Sequence, residues 1–422
     1  MKLFSIVERI NTRSGETSEL AGEAAVPSDT PPDTPRAGST FWRKWYGAFK
    51  EVLPTYLGVH LAFVTVSFFA FIFLTKDFSG DQPRVFMLWR IWHRFDAAYY
   101  MNIAAHGYTD PWRTAFFPFY SILERGMMIF TGGNSFVAGL IISDVACLVM
   151  LAVLYQLVSE DFDEERARRA VLYLSVFPQA FFFAAAYTES LFLCLILLSF
   201  YNMRHQHWWL AGIFGFFASL TRSAGIFLLL PFAYEYVRAC QFNLKNIRFS
   251  ILSAALIPAA IGIFSFYCYQ RFGDWLAFSH AEFHWGRELM APWWAIQHSI
   301  QAVRSSNLLS YQSLHNLTDL LPTLFILVLI ILGIVGPWRF SRAHLSYLLY
   351  AGVVYLFIQM VPLNWATYPV QSFGRYMLMV FPAFIVLAGL GKYRLVHLSY
   401  LFVAGSALCC LLTLYLIGRV VI

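Results

Sequence analysis

The sequence predicts an all-α protein that crosses a membrane several times. Apolar runs of about 20 residues, which span roughly 30 Å of hydrocarbon as a helix, recur along most of the 422 residues. The chain is 59% hydrophobic and has a mean hydropathy of +0.58. Only 13% of its residues are charged, against roughly 25% in a soluble domain. The net charge of +6 is scattered between the apolar runs, which indicates loop charges that set orientation and not a nucleic-acid partner.

The apolar runs predict about 11 transmembrane helices. Their approximate bounds are 52–75, 136–158, 170–187, 189–204, 208–221, 223–238, 250–271, 317–336, 345–362, 376–391 and 399–418. The segments 170–204 and 208–238 are each too short for two crossings and carry a polar tip, so we interpret them as two short broken hairpins. Glu189 and Arg222 lie at these tips, and we expect both to point into one cavity that opens outward.

Polarity divides the chain into a tail and a membrane domain. Residues 1–40 are polar and lack an apolar signal-peptide core, which predicts a disordered cytoplasmic tail before a transmembrane domain over 41–422. With the N-terminus inside, the short loops follow the positive-inside rule. Two long segments, 76–135 and 272–316, then form the first and second extracytoplasmic loops. The six cysteines show neither metal-ligand spacing nor a disulfide pattern.

Segment 90–108 of the first outer loop combines charges, aromatics and a lone carboxylate. Steps of three and four residues place an apolar stripe on one face of a helix. We expect this stripe to lie among lipid headgroups; it comprises Trp92, Phe95, Tyr99 and Ile103. His93, Asp96 and Tyr100 fall on the neighbouring face, which turns Asp96 toward the protein. The alternative, in which Asp96 only caps the helix or pairs with a nearby arginine, stays open at this point.

Four blocks of sequence carry a family resemblance. They are Phe95–Asp96 with Ile103–Tyr108, then Phe116–Pro118, Tyr187–Phe192 and Thr221–Gly225. In this order they resemble the bacterial branch of the PIG-V family of mannosyltransferases, which add mannose to glycosylphosphatidylinositol precursors. The family has Trp before the aspartate, where this chain has Phe95. After residue 240 the similarity is looser and rests mainly on Trp285–Arg287 and Gln371–Tyr376.

The resemblance implies a GT-C-like fold, with interfacial helices and a catalytic acid in the large first extracytoplasmic loop. It also implies a polyprenyl- or dolichyl-phosphate sugar donor, an inverting reaction, and a lipid-linked or glycan acceptor. The implied location is a bacterial plasma membrane rather than the endoplasmic reticulum. Mannose is inherited from the family, and the donor sugar, the acceptor and the oligomeric state stay open.

Chemistry assigns roles to the residues of these blocks. A sugar on a lipid phosphate already has a stable leaving group, so the reaction needs one base and cations, not the two carboxylates of glycoside hydrolysis. Asp96 is the predicted general base, and Glu189 either orients the acceptor or fixes Arg222. One guanidinium group can donate two parallel hydrogen bonds to the oxygens of a phosphate. The predicted substrate-binding residues are Arg222, Arg287, Arg375, His93, Tyr100 and Tyr187.

Other functions and ligands are weighed against this reading. No cofactor beyond the lipid donor and no metal ligand is predicted; His280 and His284 would share a helix face as a metal pair, although surface histidines are commoner. The main alternative is a lipid or solute transporter, because broken helices with charged tips also form transporter sites. The third hypothesis is a non-catalytic partner in a membrane assembly. The aspartate embedded in the outer loop favours an enzyme.

Overall fold

The computed structural model describes residues 37–74, 90–364 and 367–419, and its compact unit starts at Arg43. Residues 1–36 of the predicted tail 1–40 lie outside the described residues. The start of the first outer loop, over 75–89, also lies outside them. Within the described ranges, regular secondary structure is helical apart from a single β-bridge between Arg287 and Leu363.

Sixteen α-helices are named here along the described ranges. The first half of the chain contains α1 (Ala37–Leu74), α2 (Asp96–His106), α3 (Pro118–Met127), α4 (Ser135–Asp161), α5 (Glu164–Ser175), α6 (Glu189–Arg204), α7 (Trp208–Thr221) and α8 (Leu229–Ala239). The second half contains α9 (Leu256–Phe272), α10 (Ala277–His284), α11 (Trp294–Ser305), α12 (Tyr311–Val335), α13 (Leu345–Met360), α14 (Phe373–Tyr376), α15 (Phe381–Leu390) and α16 (Arg394–Leu416). Turns of 3₁₀-helix lie at Pro111–Ala115, Ala180–Phe183, Ser223–Leu228, Leu244–Asn246, Phe249–Ala255, Arg342–His344 and Met377–Met379.

Six helices in the described ranges are long and apolar enough to cross a membrane. They are Trp42–Ile72, Ser135–Asp161, Phe249–Phe272, Tyr311–Val335, Arg342–Met360 and Arg394–Leu416. The pair Phe373–Met379 and Phe381–Leu390, bent by 80°, makes a seventh if it is one broken span. The predicted all-α, multi-pass membrane protein is confirmed, whereas the predicted count of about 11 spans is not confirmed.

The difference in count arises in the segment 170–238. Helices α5 to α8 there have 12, 16, 14 and 11 residues, fewer than the roughly 20 that a crossing needs. Helix α6 is buried in protein along almost its whole length. A helix that is apolar on every side is surrounded either by lipid or by protein, and hydropathy alone does not distinguish the two.

The prediction that the apolar stripe of segment 90–108 faces lipid is wrong, because the stripe packs against protein. Trp92 is only 4% exposed, and its Nε1 donates to Ser67 Oγ of α1 at 2.9 Å. The Tyr415 hydroxyl of α16 donates to the carbonyl oxygen of Trp92 at 3.1 Å. Trp92 is therefore packed between α1 and α16, four residues before the start of α2.

A buried ion network lies at the end of α6 opposite Glu189. Arg204 ends this helix, and its Nη2 lies 2.6 Å from Asp161 Oδ1 while its Nη1 lies 3.3 Å from Glu235 Oε1. Glu235 is buried and accepts a hydrogen bond from Ser346 Oγ at 2.5 Å. The network joins the ends of α4, α6, α8 and α13.

Replacing Arg204 by Ala removes the cation paired with Asp161 and leaves buried Glu235 with Arg238 as its remaining ion pair. We expect the free energy of unfolding in detergent to fall by about 3–5 kcal/mol, measured from the Tm. Arg168→Ala is the control, because Arg168 is 40% exposed in its ion pairs and such pairs contribute about 0–1 kcal/mol. Equal losses in the two variants would contradict the assignment.

The carboxyl of Glu124 in α3 is buried against α4. Neither of its oxygens has a hydrogen-bond partner in the part of the chain described. A Cβ atom on Gly139 would lie 2.4 Å from Glu124 Oε1, so only glycine permits this approach. Burial raises the pKa of Glu124 to about 9.

This buried carboxyl makes stability depend on pH. An unfolded chain releases the Glu124 proton near pH 4.5, whereas the folded protein keeps it up to about pH 9. The free energy of unfolding therefore falls as pH rises between these values. Glu124→Gln removes this cost, so the variant's gain in Tm over the parent should be larger at pH 8 than at pH 5. A gain that is equal at both pH values would refute this account.

Candidate active site

A cavity of about 400 Å³ gathers charged residues from four distant parts of the chain. We call it the site cavity. Asp96 is the first residue of α2, Arg222 follows α7, and Arg375 lies in α14; all three line the cavity. Glu189, the first residue of α6, contacts both arginines from behind. The fold thus collects polar side chains at helix ends, around one opening.

The two carboxylates and two guanidinium groups form a continuous ion network. Arg375 Nη1 lies 2.7 Å from Asp96 Oδ2, and its Nε lies 3.3 Å from Glu189 Oε1. Arg222 Nη1 donates to the same Glu189 oxygen at 2.7 Å. The Glu189 side chain is 1% exposed, whereas that of Asp96 is 22% exposed. Asp96 is therefore the carboxylate of this network that a substrate can reach, and Glu189 is a buried counter-ion.

The ring of Tyr376 separates three guanidinium groups. The guanidinium carbons of Arg222, Arg287 and Arg375 lie 5.1, 5.2 and 5.1 Å from its ring centroid. Its hydroxyl oxygen accepts from Arg287 Nη2 at 3.1 Å and from Arg375 Nη2 at 3.3 Å. Aromatic faces attract cations, so one side chain holds three like charges close together. We call these three residues the arginine cluster.

The backbone before Asp96 is in an unusual conformation. Phe95 has φ 48° and ψ −119°, a region that costs a residue with a Cβ about 1–3 kcal/mol. Its ring packs 5.9 Å from that of Tyr415, which holds it in place. The strained turn starts α2 at Asp96 and puts the carboxylate in the first helical turn, where the helix dipole favours negative charge.

Buried polar groups fix the turn that carries Arg375. Ser372 has φ 72°, and the N–H of Gly374 donates to Asp319 Oδ1 at 2.8 Å. A Cβ atom on Gly374 would lie 2.4 Å from Gln179 Nε2, so a larger residue would displace the turn. Asp319 and Gln179 thereby hold Arg375 against the two carboxylates.

Arg222 is placed by the tight turn after α7. A Cβ atom on Gly225 would lie 2.4 Å from the backbone nitrogen of Ser219, so glycine lets the chain fold back on itself. The guanidinium of Arg222 then reaches Thr188 Oγ1 at 3.0 Å in addition to its carboxylate partner. This geometry explains the arginine and the glycine of the Thr-Arg-Ser-x-Gly pattern.

Arg287 is held from the second outer loop. Its Nη1 donates to the carbonyl oxygen of Val361 at 3.0 Å, and its backbone forms the bridge to Leu363. Glu282 Oε2 lies 3.9 Å from Arg287 Nε. Desolvation raises the pKa of Glu282, and this residue also lines the site cavity.

The structure brings seven of the eight sequence-predicted site residues into this region. They are Asp96, Glu189, Arg222, Arg287, Arg375, Tyr100 and Tyr187. The hydroxyl of Tyr100 lies 3.5 Å from Thr188 Oγ1, and burial raises its pKa. The buried ring of Tyr187 lies 5.5 Å from the Arg375 guanidinium carbon, so Tyr187 supports the site from behind.

His93 lies outside this cluster. With Arg90 and Asp144 it lines a separate cavity of about 440 Å³, and its ring centroid is 5.3 Å from that of Phe136. Because α2 begins at Asp96, the helical spacing that places residue 93 beside Asp96 does not apply.

The histidines of the second outer loop are also apart. His280 Nδ1 lies 2.7 Å from Asp274 Oδ2, whereas the His284 ring stacks on Trp112 at 5.3 Å. Within the described ranges, no group of three His, Cys, Asp or Glu side chains is arranged to hold a metal ion.

Sequence reasoning did not single out three residues of the site. Tyr376 follows Arg375 directly in a block that was noted only for its loose resemblance. Asp319 is a lone carboxylate within an apolar span, which is itself a sign of function or pairing. Glu282 had no signal beyond its position near Arg287.

A second, more apolar cavity of about 440 Å³ adjoins the site cavity. We call it the apolar cavity. Six residues line both cavities: Phe117, Arg222, Ser223, Glu282, Arg287 and Tyr376. The apolar cavity is otherwise lined mainly by Phe278, Phe283, Leu289, Phe357, Ile358 and Met379. Two residues of the arginine cluster, Arg222 and Arg287, thus lie at the junction of a polar and an apolar compartment.

Comparison with known families gives one match. The model of the family described as dolichyl-phosphate-mannose-protein mannosyltransferase matches residues 116–267. This range contains Glu189 and Arg222 but neither Asp96 nor Arg375. No curated protein matches the chain.

Seven chains of solved structures match. One is ArnT from Cupriavidus metallidurans bound to undecaprenyl phosphate, with 15% identity over 84% of this chain and a TM-score of 0.49. Another is the Archaeoglobus fulgidus oligosaccharyltransferase in complex with Zn and sulfate, with 13% identity over 78% of this chain and a TM-score of 0.36. This chain spans 64% of the length of the ArnT chain and 48% of the oligosaccharyltransferase chain.

Proposed function

We propose that this protein is an integral-membrane glycosyltransferase of the GT-C type, related to the PIG-V mannosyltransferases. It transfers a mannosyl group from a polyprenyl phosphate to a hydroxyl of a lipid-linked or glycan acceptor, with inversion. One observation carries the proposal: an accessible carboxylate, Asp96, lines the same cavity as the arginine cluster, and two of these arginines also line the adjoining apolar cavity. The family match over residues 116–267 supports a lipid-phosphate sugar donor.

The reaction is a single displacement at the anomeric carbon. Asp96 takes the proton of the acceptor hydroxyl, the freed oxygen forms a bond to the anomeric carbon, and the bond from that carbon to the phosphate oxygen breaks. The lipid phosphate leaves with the electron pair. One displacement inverts the configuration, and it needs no acid because phosphate is a stable anion.

The arginine cluster supplies the charge that the leaving phosphate needs. Guanidinium groups bind phosphate oxygens through paired charge-assisted hydrogen bonds, and groups held in place before reaction stabilise developing charge most effectively. Glu189 contacts Arg222 at 2.7 Å and Arg375 at 3.3 Å. Of the two roles considered for Glu189, these contacts favour fixing the arginines over orienting the acceptor.

The two cavities suit the two ends of such a donor. The apolar cavity offers aromatic and aliphatic side chains to the polyprenyl chain, and burying each methylene contributes about 0.8 kcal/mol. The shared arginines then meet the phosphate, and the sugar enters the site cavity beside Asp96. No cofactor beyond the donor enters this scheme.

The proposed orientation puts the site on the extracytoplasmic face of a bacterial plasma membrane. Lys44, near the start of α1, forms an ion pair with Glu160 near the end of α4. Arg204, at the same end of the bundle, lies at the opposite end of α6 from Glu189. A cytoplasmic N-terminus therefore leaves the site cavity outside.

Asp96→Asn should lower kcat for sugar transfer by about 10²–10⁴-fold, the usual contribution of a general base. The assay uses purified protein in detergent, polyprenyl phosphate carrying labelled mannose, and a panel of lipid and glycan acceptors. Asp110→Asn is the matched control, because Asp110 is a half-exposed acid of the same loop that pairs with Arg113.

Full activity of the Asp96→Asn variant would show that Asp96 is not the general base. The absence of transfer from any polyprenyl-phosphate sugar, together with substrate flux in liposomes, would instead favour the transporter.

Tyr376→Phe keeps the ring but removes the oxygen that accepts from two guanidinium groups. We expect kcat/KM for the donor to fall about tenfold, since hydrogen bonds to charged groups contribute about 1.5–3 kcal/mol. Tyr376→Leu also removes the aromatic face, and we expect its kcat/KM for the donor to fall about 100-fold.

Tyr350→Phe is the control for this pair. Tyr350 is a buried tyrosine whose hydroxyl has no hydrogen-bond partner in the described part of the chain. Its donor kinetics should match the parent protein. Equal kinetics for Tyr376→Phe and Tyr376→Leu would show that the ring does not organise the arginine cluster.

A further inference from the structure

The cavity that contains His93 has no role in the proposed mechanism and shares no lining residue with the site cavity or the apolar cavity. We call it the His93 cavity. Arg90, His93 and Asn134 supply polar groups near the start of α4, and Asp144 lies about three turns further along that helix. The rest of the lining is apolar and comes from Phe136, Val137, Leu140 and Ile141 of α4.

A smaller cavity of about 160 Å³ adjoins the His93 cavity. The two share Leu140 and Asp144. The smaller one is otherwise lined by His60, Phe63, Val64, Ser67, Trp92 and Ala184. Val64 of α1 is 45% exposed and Ile141 of α4 is 38% exposed, and both helices contain an apolar span. Together the two cavities form a groove between two membrane-spanning helices, which we call the α1–α4 groove.

The polar end of the groove offers hydrogen-bond donors to an anion. Arg90 is exposed, and no ion pair of its guanidinium is found among the described residues. Desolvation, Arg94 and Arg90 lower the pKa of His93, so its ring is neutral at pH 7 and donates through one N–H. Asn134 Oδ1 accepts from the backbone N–H of Val137 at 3.1 Å, which leaves the amide nitrogen of Asn134 as a further donor.

A polar pair lies where the two cavities join. His60 Nε2 is 3.3 Å from Asp144 Oδ1, and the Asp144 side chain is 41% exposed. Ionisable groups within a membrane span are expensive in contact with hydrocarbon, and they face polar surroundings or one another. The exposure of Asp144 therefore indicates that polar atoms enter the groove as far as this pair. Beyond it, the lining is mostly apolar.

We propose that the α1–α4 groove binds one phospholipid of the surrounding membrane, with its phosphate at Arg90 and His93 and an acyl chain along Leu140. A phosphodiester is an anion that a guanidinium group binds through charge-assisted hydrogen bonds. The glycerol linkage and its water then meet the His60–Asp144 pair, and the acyl chain meets the apolar wall. An ammonium on the headgroup would put a second cation beside Arg90, so the groove favours an anionic phospholipid such as phosphatidylglycerol over phosphatidylcholine.

The test is native mass spectrometry of the full-length protein in detergent, which counts the lipid molecules bound during a titration. The lipids are dioleoyl phosphatidylglycerol, dioleoyl phosphatidylcholine and dioleoylglycerol, which have the same chains and different headgroups. We expect the first phosphatidylglycerol to bind with a Kd about tenfold lower than that of either other lipid, because only its headgroup is a net anion.

Arg90→Gln removes the guanidinium and should abolish this preference, which brings the three Kd values within about twofold of one another. Arg125→Gln is the matched control, because Arg125 is exposed in α3 of the same outer loop and lines neither cavity of the groove. Its preference for phosphatidylglycerol should equal that of the parent protein.

Leu140→Trp tests the acyl chain separately from the headgroup. The larger side chain fills the junction of the two cavities without changing any charge. The Kd values of phosphatidylglycerol and dioleoylglycerol should therefore both rise, by about tenfold, and the preference between them should stay.

Equal Kd values for the three lipids in the parent protein, or an unchanged preference in Arg90→Gln, would overturn the proposal. Polyprenyl phosphate forms a fourth arm. If it displaces phosphatidylglycerol and binds more tightly, the groove belongs to the path of the sugar donor and the proposal fails. The comparison of headgroups uses the parent protein, so it decides the question even if Leu140→Trp does not fold. Because no sugar transfer is measured, this proposal and the proposed function fail independently.

Discussion

The rest of the site depends on the neutralisation of charge inside a membrane protein. An unpaired buried ion costs several kcal/mol. Glu189 and Arg375 can be buried and charged because each has an opposite charge within 3.3 Å. Their pairing with Asp96 and Arg222 fixes four helix ends relative to one another. Arg287 and Glu282, whose Oε2 lies 3.9 Å from Arg287 Nε, add a further pair of opposite charges to the same cavity.

The contacts of Tyr376 also explain how the three side chains of the arginine cluster stay close together. Like charges this close repel strongly where the effective dielectric constant is low. All three guanidinium groups lie within 5.2 Å of the Tyr376 ring centroid, and Asp319 holds the turn that carries this ring. In the proposed mechanism, an aromatic ring and a buried carboxylate therefore preorganise the arginines that bind the phosphate.

Sequence patterns predicted the class of fold and most of the cluster, because charged residues are rare in apolar segments and therefore conspicuous. Asp96, Glu189 and Arg222 could be proposed from motifs and hairpin tips. The span count and the lipid-facing stripe could not, because burial in protein and burial in lipid produce the same hydropathy. Tyr376 was overlooked for a related reason: an aromatic residue next to an arginine is common, and only the fold shows three guanidinium groups around it.

The sequence distances within the ion network set the order in which its charges are neutralised during synthesis. Glu189 meets Arg222 after only 33 residues, whereas Asp96 and Arg375 are 279 residues apart. At about 5–20 residues per second, that interval is roughly 15 to 55 s. Throughout this interval, the nascent chain holds Asp96 without its final counter-ion. The ion network is therefore complete only once α14, which carries Arg375, has been synthesised and packed against Asp96.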